Sequence, residues 1–461
     1  VTREAAIEAA TRYFESGQFA DDLGRRVGMP TESADPSSRD LQVAYLEHEI
    51  IPQLRRMGCS WRIVDNPVQS WSPFLIAERP EDPDRPTVLV YGHGDVVLGH
   101  PELWRSGLEP FRMIIDGDRW YGRGTADNKG QHTINFAALE QVLAVRGRLG
   151  FNLKVILDMG EETGSPGLEE ICAELADELA ADLLIGSDGC RVAAERPTVF
   201  LGSRGVMNFS LHLAPYDNGY HSGNWGGLIA NPGTRIANAV ASLVDGNGVL
   251  TVDGLRPSAI PDSVRSALAG VAVDPGDGPA VDPDWGEPGL APAERLYAWN
   301  TLEVLALTAG TPQAPENAIP PSATAHCQLR FVVGTDEDHI EQILRRHLDA
   351  RGFTDVQLTV GHRVRATRLD PRHPLVDWAA ASIEQTTGLP PVRLPNLGGT
   401  LPNAAFAHTL GLPTIWVPHS YPACGQHAAD EHLLGSLAGQ SLQLMTGLFW
   451  DLGELQTERS A

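Results

Sequence analysis

Apolar residues recur along this chain with two different periods, and the change of period divides it. The opening stretch, "VTREAAIEAATRYFESG", has the spacing of an amphipathic helix. Residues 40–57 repeat the pattern with Leu41, Val43, Leu46, Ile50 and Leu54. Short apolar runs at 61–64, 74–78 and 87–91 predict strands. A helix is expected soon after Gly130, with Ile134, Ala137, Ala138, Leu139, Val142 and Leu143 on its apolar face. Residues 151–159 and 182–185 are further strands. Strands alternating with helices predict an α/β sheet covered by helices.

Near Val199 the character changes. "VFLGSRGVMNFSLHLAP" alternates apolar and polar residues, as a half-exposed antiparallel strand does. A helix pattern at 234–243 follows, then an Asp/Gly/Pro-rich stretch at 273–292 that reads as loop. "ATAHCQLRFVV" is another alternating strand, and 336–351 is a helix. The α/β style then returns, with a helix at 374–387, a short helix after Pro402, a strand at 414–417 and a long C-terminal helix. The expected fold is α/β: a catalytic domain formed by 1–198 and 362–461, its mixed central sheet flanked by helices. An α+β lid or dimerisation domain, 199–361, is inserted into it. No internal repeat is visible.

Composition changes this picture little. A chain of 461 residues, 42% hydrophobic and 20% charged, suits two soluble domains. No apolar run approaches a membrane span. The N-terminus has no apolar signal core, so a cytoplasmic protein without a membrane association is expected. A formal net charge of −24 and no basic stripe argue against nucleic acid as a partner. Cys59, Cys172, Cys190, Cys327 and Cys424 are scattered without Cys-x-x-Cys spacing, so neither a disulfide framework nor a zinc knuckle is expected.

Candidate chemistry changes it more. Metal-capable residues recur where predicted strands end, and ligands of open α/β sheets collect at the carboxyl ends of strands. His93 and Asp95 follow one strand, Glu161 and Glu162 another, Asp188 a third, and His427 lies beyond a fourth. Asp127 sits in a Gly-rich loop before a helix. Each has an ordinary reading taken singly. His-x-Asp is usually a turn, Asp127 a helix cap, the Glu pair a solvated face, Asp188-Gly a turn and His427 a surface histidine. Together they form a mixed nitrogen and oxygen donor set suited to zinc, cobalt or manganese.

In this order the motifs resemble the dinuclear metallopeptidase family. That family includes aminoacylases, carnosine-type dipeptidases, glutamate carboxypeptidases, acetylornithine deacetylase and succinyl-diaminopimelate desuccinylase. The resemblance rests on "YGHGDVV", "GRGTADNKG", "MGEETGSPG", "SDG" and "GQHAADEH" and covers nearly the whole chain. It implies two divalent metal ions, zinc above all with cobalt or manganese as alternatives. By the resemblance His93 and Asp188 bind one ion, Glu162 and His427 the other, and Asp127 bridges them. Asp95 orients His93, and Glu161 is the general base. The resemblance also implies a cis peptide after Asp127. Where the family often carries a second Asp, this chain has Asn128. Such ions acidify water and polarise an amide carbonyl, which a neutral carbonyl and neutral water need.

The inserted region adds further motifs of the same resemblance. "GYHSGNWGG" carries His221, implied to stabilise the oxyanion in a partner subunit's site. A homodimer through the inserted domain follows from that. "ENAIPPSATAHCQLRF" supplies Asn317 and Arg330, and "NLGGTLPN" supplies Gly399 and Thr400, all implied to hold the substrate. A planar guanidinium suits a carboxylate. The expected activity is hydrolysis of amide bonds in dipeptides, short peptides or N-acyl amino acids. An N-acyl amino acid deacylase is the alternative. A non-catalytic metal-binding scaffold is more remote, because none of these residues is eroded. A TIM-barrel amidohydrolase calls for an early His-x-His, which is lacking.

Overall fold

The computed structural model describes residues 1–273 and 279–455. An eight-stranded mixed sheet runs through the larger part, in the order Ser60–Val64, Phe74–Arg79, Asn152–Asp158, Thr87–His93, Leu183–Gly186, Thr414–Trp416, Thr198–Phe200, Val392–Leu394. Its four middle strands, from Asn152–Asp158 to Thr414–Trp416, are mutually parallel. Antiparallel neighbours flank them on both sides. Strands buried on both faces read as unbroken apolar runs, and "TVLVYGH" is such a run.

The alternation within that run feeds two cores. Val88 and Val90 join a core with the helices Arg3–Glu15, Lys129–Arg146 and Gly435–Leu452, whereas Leu89 and Tyr91 join one with Leu168, Ile171, Phe406 and Trp416. The helix Lys129–Arg146 stops at Gly147, whose φ of 78° lets its N–H reach the Leu143 carbonyl at 2.8 Å.

A second, four-stranded antiparallel sheet has the order Thr301–Ala309, Ala323–Phe331, Gly205–Leu213, Gln357–Val364. Period two again sorts the side chains. Met207, Phe209, Leu211 and Leu213, with Cys327, Leu329 and Phe331, pack beneath the helices Pro232–Ala241 and Ile340–Ala350. Asn208, Gln328 and Arg330 are left on the opposite, polar face. That face turns towards the ends of the middle strands of the large sheet.

Several elements differ from expectation. The helix expected at 40–57 is three pieces, Arg39–Tyr45, a π-turn at Leu46–Ile50, and Ile51–Arg56. Pro52, which lacks an N–H to donate, lies just past the π-turn. The short helix after Pro402 is largely a π-turn, Ala405–Thr409. Strands Thr301–Ala309 and Gln357–Val364 carry no clean alternation, and the pattern did not predict them. Thr198–Phe200 stays in the large sheet, and Gly205 opens the small one. Of the loop expected at 273–292, residues 274–278 lie outside the described residues, and 279–291 carry neither helix nor strand. No helix among the described residues is long and apolar enough to cross a membrane.

Candidate metal centre

His93 is the last residue of its strand, so its backbone is fixed by pairing with Asp158 of the adjacent strand. Its ring is fully buried, and Nδ1 lies 3.2 Å from an Asp95 carboxylate oxygen. That carboxylate also accepts the N–H groups of Glu161 and Glu162 at 3.1 and 3.0 Å. Asp95 thereby ties the orientation of His93 to the position of the Glu-Glu turn. His93 Nε2 faces Asp127 Oδ1 at 3.0 Å and Asp188 Oδ2 at 3.6 Å.

Asp127 is held by its neighbours on both sides. The Asp127–Asn128 peptide is cis. The amide of Asn128 donates to the Ser187 carbonyl at 2.7 Å, linking this loop to the Asp188 segment. The second Asp127 oxygen meets His427 Nε2 at 3.0 Å and accepts a hydrogen bond from Gln426. His427 Nε2 is also 3.0 Å from Glu162 Oε2. His427 has a φ of 61°, a left-handed conformation unusual for a residue with a Cβ.

The ligand-type atoms fall into two triads. His93, Asp127 and Asp188 form one, and Asp127, Glu162 and His427 the other, each with its atoms within 4.8 Å of one another. Asp127 belongs to both. Glu161 belongs to neither and sits 3.8 Å from His93 Nε2.

The electrostatics fit divalent cations. Burial pushes the Glu162 carboxyl up to about 7 and that of Asp188 up to about 6, with the Asp127 charge adding to both. Burial likewise raises Glu161 well above the usual carboxylate range. Asp127 moves the other way, because hydrogen bonds from His427 and His93 outweigh its burial. His427 is raised to about 11 by its bonds to Asp127 and Glu162. Glu162 Oε1 is buried without a hydrogen-bond partner, an orphaned acceptor of the kind a bound cation satisfies. Three carboxylates and two imidazoles make up the triads, the donor types that zinc, cobalt or manganese take.

A cavity of about 560 Å³ opens over the two triads. Arg330, Gly399 and Thr400 line it together with Asp127, Glu161, Glu162, Asp188 and His427. Arg330 donates from Nη1 to Thr400 Oγ1 at 2.6 Å and from Nε to Gln328 Oε1 at 2.9 Å. The Thr400 hydroxyl hydrogen goes to the Arg204 carbonyl at 2.9 Å. His221 and Asn317 do not line this cavity. They lie together on the exposed side of the inserted region, where Tyr220–His221 pairs with Ala318–Ile319 and the Asn317 carbonyl accepts the Ser222 N–H at 2.9 Å. His221 Nδ1 accepts the Gly223 N–H at 3.1 Å.

Sequence reasoning passed over several residues here. Glu431 is buried beside Arg123 at 2.7 Å. One of its carboxylate oxygens accepts the N–H groups of Gly124, Ala126 and Asp127 at 3.0, 3.0 and 3.1 Å. It therefore shapes the loop that presents Asp127. Gln426 and Glu431 both sit in the quoted "GQHAADEH", so the signal was there. Asn208, Gln328 and His362 also line the cavity; the first two gave no signal beyond their place on alternating strands, and His362, on Gln357–Val364, gave none.

The model of peptidase family M20/M25/M40 matches residues 89–446. Beta-Ala-His dipeptidase of Mus musculus is 28% identical over 269 residues, 55% of this chain and 54% of the relative. Cys-Gly metallodipeptidase DUG1 of Candida albicans is 30% identical over 260 residues, 53% of each. The matched stretch thus spans about half the length of these curated relatives. The solved structure of the dipeptidase Dug1p from Saccharomyces cerevisiae superposes with a TM-score of 0.80 at 21% identity, covering 98% of this chain and 99% of that one. On the family match and the shared fold, the chain belongs to peptidase family M20/M25/M40.

Proposed function

We propose that this protein is a dinuclear metal-dependent dipeptidase. The observation that carries the reading is the pair of ligand triads sharing Asp127, with the largely buried carboxyl of Glu161 beside them but in neither. In this reading His93, Asp127 and Asp188 hold one divalent ion, and Asp127, Glu162 and His427 the other. The ions, zinc by preference, supply an acidified water and a polarised carbonyl. Glu161 takes the proton from the attacking water and returns it to the leaving nitrogen. Burial raises its carboxyl above the usual carboxylate range, which favours taking up the water's proton. Asp95 keeps the His93 ring in the orientation that directs Nε2 towards Asp127 and Asp188, where a divalent ion would be held.

Arg330 binds the substrate's terminal carboxylate. Gln328 and Thr400 hold its guanidinium from two sides, and Gly399 leaves the loop backbone open to the substrate. The Thr400 hydroxyl, already donating to a carbonyl, acts chiefly through Arg330. His221 and Asn317 complete the site from a second copy of the chain, in a homodimer through the inserted 199–361 region. An exposed edge strand supports that pairing. Val304, Leu305 and Leu307 of Thr301–Ala309 are 41%, 58% and 50% exposed at the outer margin of the small sheet. The division into 1–198, 199–361 and 362–461 and a cytoplasmic location belong to the same proposal.

Dipeptides are preferred to N-acyl amino acids because the relatives' names are those of dipeptidases. The test is a mass-spectrometric screen of metal-reconstituted protein against dipeptides and N-acyl amino acids, with a chelator-treated control. Hydrolysis of dipeptides that the chelator abolishes is expected. Chelator-insensitive hydrolysis, or cleavage of N-acyl amino acids alone, overturns the reading.

A further inference from the structure

Two thiols, one lining the cavity and one buried behind it, have no task in hydrolysis. Cys190 follows Asp188 by two residues, and Cys424 precedes His427 by three. The two segments are stitched together by their backbones. The Arg191 N–H donates to the Ser420 carbonyl at 2.9 Å, and the Ser420 hydroxyl donates to the Gly189 carbonyl at 2.8 Å. Across this seam the two Sγ atoms stand 3.9 Å apart. Cys190 is half-buried and lines the cavity, while Cys424 lies fully buried behind it. Cys190 Sγ also faces Gln426 Oε1 at 3.5 Å, and the amide nitrogen of that glutamine donates to Asp127. The remaining cysteines, Cys59, Cys172 and Cys327, are buried in three separate cores, with no thiol partner among the described residues.

We propose that Cys190 and Cys424 are a modification site: a hydroperoxide converts them to a disulfide that staples the Asp188 segment to the Gln426–His427 segment. A disulfide has a sulfur–sulfur distance of about 2.05 Å. The 3.9 Å gap must therefore close for the bond to form, while the seam holds the two segments side by side. Cys190, the thiol reached from the cavity, reacts first. Its sulfur attacks one peroxide oxygen and passes its proton to the other. The O–O bond breaks, leaving a sulfenic acid on Cys190, and the departing oxygen leaves as water. The Cys424 sulfur then attacks the Cys190 sulfur. The S–S bond forms, the S–O bond breaks, and the hydroxyl leaves with the Cys424 proton as a second water. Two thiols lose two electrons in all, and one hydrogen peroxide gains them. A dithiol reverses the change by thiol–disulfide exchange.

The experiment treats the full chain with hydrogen peroxide, blocks free thiols, and digests without reductant for mass spectrometry. A peptide joining Cys190 to Cys424, two hydrogens lighter than its parts and lost on adding dithiothreitol, is expected. Hydrogen exchange in 186–192 and 420–428 should slow by a factor of several in the oxidised protein. Cys190→Ser and Cys424→Ser should each remove both effects. The proposal is overturned if Cys190 accumulates oxygen atoms while Cys424 stays free. It is equally overturned if the linked peptide forms with exchange unchanged. The wild-type linkage is informative even where a variant folds poorly. Neither readout needs bound metal or turnover, so failure here and failure of the dipeptidase reading are separately visible.

Discussion

At the scale of single residues, the centre is a crowd of carboxylates whose repulsion two imidazoles only partly offset. Glu161 is the one whose chemistry is separable from metal binding, because it lies in neither triad. Glu161→Gln should therefore retain the metals and lose about 10²–10⁴-fold in kcat, the usual worth of a positioned acid–base group. Metal content and kcat measured on one preparation check this, and near-normal turnover with full metal would remove Glu161 from the mechanism. Titration gives a second expectation. In the metal-free protein Glu162 and Asp188 hold protons up to about pH 7 and 6. These raised values mean that a metal must displace protons, increasingly so as pH falls. Metal binding should weaken from pH 8 to pH 6 and release protons. Calorimetry in buffers of different ionisation enthalpy reads that release directly, and none at pH 6 would contradict the shifts. His93 and Asp95 show how far motif reading reached: one side chain points at the site, and the other aims it.

At the scale of elements, strand ends and one loop do the positioning. Three parallel neighbours end in His93, the Glu-Glu turn and the Asp188 turn, and sheet pairing sets their spacing. The 124–127 loop has no such ladder. It hangs on Glu431, whose carboxylate gathers three of its N–H groups. Glu431→Ala should lower stability by about 3–5 kcal/mol, since it leaves Arg123 buried without its partner. The milder Glu431→Gln should keep the fold and weaken metal affinity. Thermal unfolding and metal titration separate the two effects. An unchanged affinity in a folded Glu431→Gln protein would make Glu431 a stability residue only. Hydrophobic periodicity located the longest helices and the middle strands of the large sheet but missed the edge strands Thr301–Ala309 and Gln357–Val364 of the small one. An edge strand is half-exposed, and its side chains answer to whatever covers it, not to a core of their own.

At the scale of the whole molecule, the small sheet brings Arg330 to the cavity and leaves His221 outside it. In the homodimer reading each site is finished by its neighbour. Mixing His221→Ala with Glu161→Gln protein should then restore activity, because one hybrid site carries both wild-type groups. Random exchange predicts recovery of a sizeable fraction of wild-type activity. No recovery after subunit exchange is demonstrated by mass would place His221 outside catalysis.

The sequence by itself determined the local chemistry: which side chains can ligate, which strands precede them, and where one sheet style gives way to another. Those properties are encoded within a few residues, by apolar period and by donor type. Only the tertiary structure decided the rest. It put Asp127 in both triads, gave Asp95 its hold on the Glu-Glu turn, assigned Glu431 to the bridging loop, and set Cys190 beside Cys424. Each of these joins residues tens to hundreds of positions apart. Their proximity depends on strand order and on packing across the sheet, which no local pattern carries.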